Sequence, residues 1–150
     1  MMLLSRRSLL GIAAVVDIAI HGRVAPVPAK ALSERHHLPP RHLETMLQAL
    51  VRTGILRGVR GPRGGYELAV ERRKLKAGDI VRAAMTAIDD EDETPEPSST
   101  LVDLVINPAV KQASHAFLEH LDSITVEDLC QQSEKAGLFG SLPDDANFTI

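Results

Sequence analysis

The chain has 150 residues, 44% of them apolar and 25% charged, the composition of a compact globular domain and not of a disordered or fibrous chain. Its single cysteine excludes a disulfide framework and any site built from several thiolates; no uninterrupted apolar run of about 18 residues marks a membrane span, and four aromatic residues are too few for a single-strand stacking platform. The formal net charge of −3 conceals a division, since residues 1–82 carry 15 Lys/Arg against 6 Asp/Glu and residues 83–150 carry 2 against 14.

A first half this basic has the footprint of a phosphate-binding surface, the plain alternative being a solvated face without a partner. The acidic second half would face away from a nucleic acid, because like charges repel.

Leu9, Ile12, Ala13, Val16, Ala19 and Ile20 recur at helical spacing and predict a helix over residues 8–21, with Asp17 and His21 on its polar face. Residues 22–28 read as a loop. Pro28 suits the first turn of a second helix over 28–35, where its missing N–H is no loss. His37-Leu38-Pro39-Pro40 marks a tight turn. A third helix then runs from Pro40 to about Arg52, with Leu43, Met46, Leu47, Leu50 and Val51 on one stripe and Gly54 as its stop.

Two β-prone runs, Ile55–Arg60 and Tyr66–Val70, flank Gly61-Pro62-Arg63-Gly64-Gly65 and predict a β-hairpin. Helical spacing resumes over 78–88 through Ile80, Val81, Ala84 and Ile88. Asp89 to Ser99 is acidic and proline-rich and reads as a solvated linker. A longer helix follows from about Pro108 to His120, with Val110, Ala113, Phe117, Leu118 and Leu121 facing one way. Thr125 is a good N-cap for a short helix containing Leu129.

The expected fold is mainly α with a small β-hairpin wing: a winged helix-turn-helix over residues 1–88, an acidic loop over 89–107, and a long helix with its tail over 108–150, for which the resemblance given below implies dimerisation. In a helix-turn-helix the second helix of the motif enters the major groove, and its first residues meet base edges. Those residues are Arg41, His42, Glu44 and Thr45, with Gln48 one turn on. Arg41 suits guanine or phosphate, and Glu44 suits cytosine or, alternatively, the dipole of its own helix. His42 reads as a base contact or as a cap. Arg60 and Arg63 crown the wing, and arginine suits a narrow, negative minor groove. Arg6 and Arg7 are candidate phosphate contacts.

Ser5-Arg6-Arg7-Ser8-Leu9-Leu10 followed by Gly11–Val16 also has the pattern of a twin-arginine export signal, with Ala29-Lys30-Ala31 as a cleavage site. Asp17 interrupts its apolar stretch, and losing residues 1–31 would delete a helix that the three-helix core needs. The segment therefore reads as structural and the protein as cytoplasmic, with no membrane partner. An enzyme is disfavoured, since no nucleophile–base pair, metal-ligand spacing or phosphate loop occurs. A winged-helix module binding an acidic protein is the competing function.

The run Val59-Arg60-Gly61-Pro62-Arg63-Gly64-Gly65-Tyr66-Glu67-Leu68 resembles the wing of the bacterial IscR/NsrR/CymR (Rrf-type) transcription regulators, whose motif reads V-R-G-x-x-G-G-Y-x-L. The resemblance extends through Leu4-Ser5, Pro28–Arg35, Arg41-His42-Leu43-Glu44, Ala77–Val81 and Ala116–Leu129, most of the chain. It implies a homodimer, joined through Val110, Ala113, Phe117 and Leu121, that represses by binding double-stranded DNA at a pseudo-palindrome. It also implies that Arg60 enters the minor groove. Leu10 stands where many relatives carry tyrosine.

Cluster-bearing relatives hold an iron–sulfur centre with three cysteines before the dimerisation helix. Here Asp89 to Asn107 contains no cysteine and the last ligand position falls near Leu104, so the expectation is a member without cofactor. A small-molecule or protein effector, or none, would then supply its signal. Cys130 reads as a small buried hydrophobe. Asp90, Asp92 and Glu93 have oxygens suited to a divalent cation, but such runs are usually solvated. His115 and His120 fall on different faces and form no pair.

Overall fold

The computed structural model describes residues 4–89 and 99–139, without the side chains of residues 88 and 89. Helix α1 spans Arg6–His21, α2 Ala29–His36 and α3 Pro40–Arg52. Helix α1 starts two residues before its apolar spacing does, because Ser5 caps it: the Ser8 amide donates to Ser5 Oγ at 3.2 Å. Pro28 lies just outside α2, as its extended N-cap residue, and not inside the first turn. His37 ends α2 in the left-handed region at φ 51°, and Ser33 Oγ donates to the Leu38 carbonyl at 2.7 Å. These two features make the tight turn that precedes α3.

Strands β1 (Leu56–Val59) and β2 (Gly65–Leu68) pair antiparallel, with Leu56 opposite Leu68 and Val59 opposite Gly65. Both are shorter than the β-prone runs that predicted them. A one-residue bridge adds Val27 to the outer side of β2: Val27 N donates to the Tyr66 carbonyl at 2.9 Å, and Tyr66 N donates back at 2.8 Å.

This bridge explains one glycine of the wing, and the hairpin's own backbone explains another. A Cβ on Gly65 would land on the Val27 carbonyl, and one on Gly64 would land on the Val59 carbonyl. Gly65→Ala is therefore expected to cost about 1–3 kcal/mol by forcing the bridge apart. Urea unfolding reads the loss, and unchanged stability would show that residue 27 can withdraw freely.

Helix α4 spans Ala77–Asp89. A π-helical turn over Val102–Ile106 then leads without a break into α5, Asn107–Leu121. The expected loop thus gives way to helix from residue 100 onward. Pro108 marks the beginning of α5 but not of helical chain, because a first-turn proline loses little when the preceding turn is already wide. Asp90, Asp92 and Glu93, whose oxygens suit a divalent cation, lie outside the described residues.

Helix α6, Val126–Lys135, begins with a reciprocal cap. The Asp128 amide donates to Thr125 Oγ1 at 3.1 Å, and the Thr125 amide donates to Asp128 Oδ2 at 3.0 Å.

The core joins α1, α2, α3 and α4 through Val15, Ile18, Leu32, Leu47, Leu50 and Ile80, all fully or almost fully buried. Val126 and Cys130 of α6 belong to the same core. Main-chain bonds stitch α6 to the stretch before α4: Val126 N to Leu75 O at 2.8 Å and Glu127 N to Arg72 O at 3.0 Å. Burial raises the Cys130 thiol pKa, as suits a small apolar filler. Leu9 and Val51, expected on buried stripes, are exposed.

Helix α5 is fixed to α4 by Arg82, whose Nη1 and Nη2 donate to the two oxygens of Asp122, each at 2.8 Å. Gly78 leaves room for that carboxylate, since a Cβ there would strike Asp122 Oδ1. The guanidinium holds the Asp122 carboxyl below its ordinary range.

Candidate nucleic-acid interface

Helix α3 buries Leu43, Met46, Leu47 and Leu50 and leaves Arg41, His42, Glu44 and Gln48 in solvent. This is the polar face that the apolar stripe predicted, and its origin is simple. The 3.6-residue period places positions 41, 44, 45 and 48 opposite the core. Thr45 is half-buried and its hydroxyl donates to the Arg41 carbonyl at 3.2 Å, so its polar atom is engaged with its own helix.

Arg60 and Arg63 are exposed at the hairpin tip. The tip closes through Gly64 N donating to Gly61 O at 2.9 Å, with Gly61 at φ 114°, which favours glycine. The glycines of the wing therefore serve its own folding before any approach to a ligand.

A groove of about 600 Å³ between α3 and the hairpin brings Thr45 and Gln48 together with Arg52, Gly58 and Tyr66. A smaller one of about 340 Å³ on the same hairpin adds Arg60. Recognition-helix and wing residues thus share one surface. Arg6 and Arg7 line neither groove: Arg6 is exposed at the start of α1, whereas Arg7 is half-buried and engaged in an interaction of its own.

Arg52 and Tyr66 were not singled out from the sequence. Arg52 is the last residue of α3 and Tyr66 belongs to the wing motif; the groove makes both part of the surface.

The largest omission is the buried cluster behind α2. Asp17, expected on the polar face of α1, has no exposed surface. Arg35 grips it with Nε on Oδ2 at 2.8 Å and Nη2 on Oδ1 at 2.6 Å. His36 Nε2 donates to Oδ2 at 2.7 Å and His21 Nδ1 to Oδ1 at 2.9 Å, both roles fixed by an ionised carboxylate that can only accept. Burial works to raise the Asp17 pKa, but the bonds from Arg35 and His36 and the charges of Arg35 and His21 outweigh it and leave the pKa lowered. The cluster ties α1 to the end of α2, and so fixes the helix that leads into α3. A lone acid in an apolar stretch, four residues before a histidine and one helix before an Arg-His pair, was the signal.

Of the residues proposed for dimerisation, Val110 and Ala113 are exposed, while Phe117 and Leu121 are half-buried. Leu101, Leu104, Val105 and Ile106, at the start of the same helical segment, are exposed as well, Leu104 by 72%. Sequence reading missed these four because it assigned them to a loop.

An iron–sulfur centre needs several soft thiolate donors. Cys130 is the chain's single cysteine and is buried on α6 against Arg72, and among the described residues no cluster of His, Cys, Asp and Glu is arranged to hold a metal ion. The donor set does not fit such a centre. Among the described residues no helix is long and apolar enough to cross a membrane.

Comparison with known proteins matches this architecture. The profile of the Rrf2 family, described as "Iron-dependent Transcriptional regulator", matches residues 4–132. An HTH-type transcriptional regulator of Synechocystis is 32% identical over 128 residues, covering 85% of this chain and 87% of the relative. IscR of Vibrio atlanticus is 32% identical over 88 residues, covering 59% of this chain, which thus matches only about half (51%) of that relative's length.

Among solved structures, T. potens IscR superposes with a TM-score of 0.68 at 32% identity, covering 90% of each chain. CymR of B. subtilis, described as its global cysteine regulator, superposes with a TM-score of 0.63 at 28% identity, covering 88% of this chain and 98% of its own. With its helix-turn-helix, its glycine-rich wing and this match over most of its length, the chain belongs to the Rrf2 family of transcriptional regulators.

Proposed function

We propose that this regulator is a cytoplasmic, sequence-specific repressor that binds a pseudo-palindromic operator as a homodimer and works without an iron–sulfur cluster. The observation that carries the reading is the shared surface of α3 and the wing. Arg41, His42, Glu44 and Gln48 face solvent on the helix, and Arg60 and Arg63 do so on the adjoining hairpin. A helix of this width fits a major groove while the hairpin tip reaches the neighbouring minor groove. Arg60 follows the wing's first strand and is the residue assigned to that groove. Thr45, with its hydroxyl turned to its own backbone, contributes less than Gln48.

Two copies joined through α5 would present two such surfaces, with half-sites about one helical turn apart or a multiple of it. Repression follows from occupancy of the operator. The reading without a cluster is supported by the donor chemistry, since one buried cysteine cannot replace three ligands. This departs from the iron dependence in the family's description.

The test is selection of genomic fragments by the purified protein at near-physiological salt. Enrichment of a short inverted repeat is the expected result; failure to retain any duplex would favour the protein-binding module instead. On the selected site, Arg60→Ala should weaken binding by about 1–3 kcal/mol, and affinity should fall steeply as salt rises. An unchanged affinity in that variant would remove the wing from recognition.

A further inference from the structure

On a different part of the molecule, a groove of about 670 Å³ runs between the C-terminal end of α1, strand β2 with the stretch after it, and the first turn of α6. Ile18, Ala19, Leu68 and Val70 give it an apolar floor. Three arginines and three glutamates line it, and of the ion pairs they make only Arg72 with Glu127 lies within it. Glu67 accepts from Arg57 Nε at 2.8 Å, Glu127 is paired with Arg72, and Glu71 lies 3.9 Å from Lys74.

Each glutamate thus has a cation beside it, while Arg23 and Arg73 line the groove exposed, with no ion pair or side-chain hydrogen bond among the described residues. The third arginine, Arg72, is spent on Glu127 and packs against Cys130, with its Nη1 enclosed in the protein. A guanidinium fork is the group that best matches a planar or tetrahedral oxyanion. An apolar floor and two unpaired arginines occur together in one concavity.

We infer that this groove is a binding site for a small organic anion, a carboxylate or a phosphate ester whose apolar body lies on Leu68 and Val70. Arg23 and Arg73 hold its oxyanion. The site touches the second strand of the wing on one side and α6, which follows α5, on the other. Its occupant is therefore placed to change how the wing is held relative to the dimerisation helix. That last step rests on the DNA-binding reading above; the binding itself does not.

The test is an amide-shift titration of the full chain with succinate and, separately, with inorganic phosphate, in the absence of DNA. Saturable shifts at Arg23, Leu68–Arg73 and Glu127 are expected, and the stronger of the two anions identifies carboxylate or phosphate as the preferred head group. Arg23→Ala/Arg73→Ala removes two exposed, unpaired side chains, so it should unfold at the same urea concentration as the parent yet bind the anion at least about tenfold more weakly.

The absence of saturable shifts with either anion, or shifts spread equally over α3 and the hairpin tip, would overturn the site. So would a double variant that keeps its anion affinity but binds duplex more weakly with a shallower salt slope; these arginines would then be DNA phosphate contacts. With the selected operator in hand, the bound anion should change duplex affinity in the parent and not in the double variant, and equal behaviour of the two would remove the regulatory role.

Discussion

Asp17→Ala is expected to destabilise the protein by about 3 kcal/mol, measured by urea unfolding at neutral pH. The substitution removes the single acid that Arg35, His36 and His21 share. Breaking a buried charged network costs about 3–5 kcal/mol in general. The lower end applies here because the Arg35 side chain keeps 36% of its surface in water and so recovers part of its hydration.

The pH dependence has a definite sign. A carboxyl whose pKa is lowered on folding stabilises the folded state above its ordinary value of 3.8. That contribution is lost as pH falls through the lowered folded value. The gap between parent and Asp17→Ala should therefore be full at neutral pH and close in acid below 3.8. A gap that widened in acid would mean that Asp17 is not the ionised partner of Arg35. Because the cluster anchors α2, the variant should also lose operator affinity at temperatures where it is still folded.

The second large effect concerns association. Val105→Glu/Val110→Glu should convert a dimer to monomers in sedimentation and weaken binding to the full inverted repeat by about 10²–10⁴-fold, while binding to one half-site changes little. Val105 and Val110 are chosen because they are 58% and 55% exposed, so a charge there does not disturb the protomer's own core. Phe117 and Leu121 are half-buried and would confuse loss of association with loss of folding. A dimer that survives the double substitution would place the interface elsewhere on the chain.

Much of this protein was readable from local pattern. The stripe Leu43, Met46, Leu47 and Leu50 fixed α3, and with it the solvent face of Arg41, Glu44 and Gln48, because a helix has one period and one core to face. Gly61 to Gly65 between two β-prone runs fixed the hairpin and the exposure of Arg60 and Arg63.

What sequence reading misjudged was decided by partners far along the chain. Asp17 looked like a polar-face residue, yet it is buried because Arg35 and His36 arrive from the next helix, and a one-dimensional pattern does not show that meeting. Gly65 is required not by the turn beside it but by Val27, 38 positions earlier, whose carbonyl occupies the space of a side chain. Leu101 to Ile106 read as loop because an acidic stretch precedes them and Pro108 follows. A π-helical turn admits that proline, and the helix begins before it.

The anion groove is likewise tertiary, since α1, β2 and α6 come together there and only their pairing shows which arginines are left without a partner. Periodicity and turn chemistry act between neighbours in sequence, which is why the first three helices, the hairpin and the solvent face of α3 could be read from local pattern. Burial of charge, close backbone approach and the balance of ion pairs act between elements and emerge once the chain has folded.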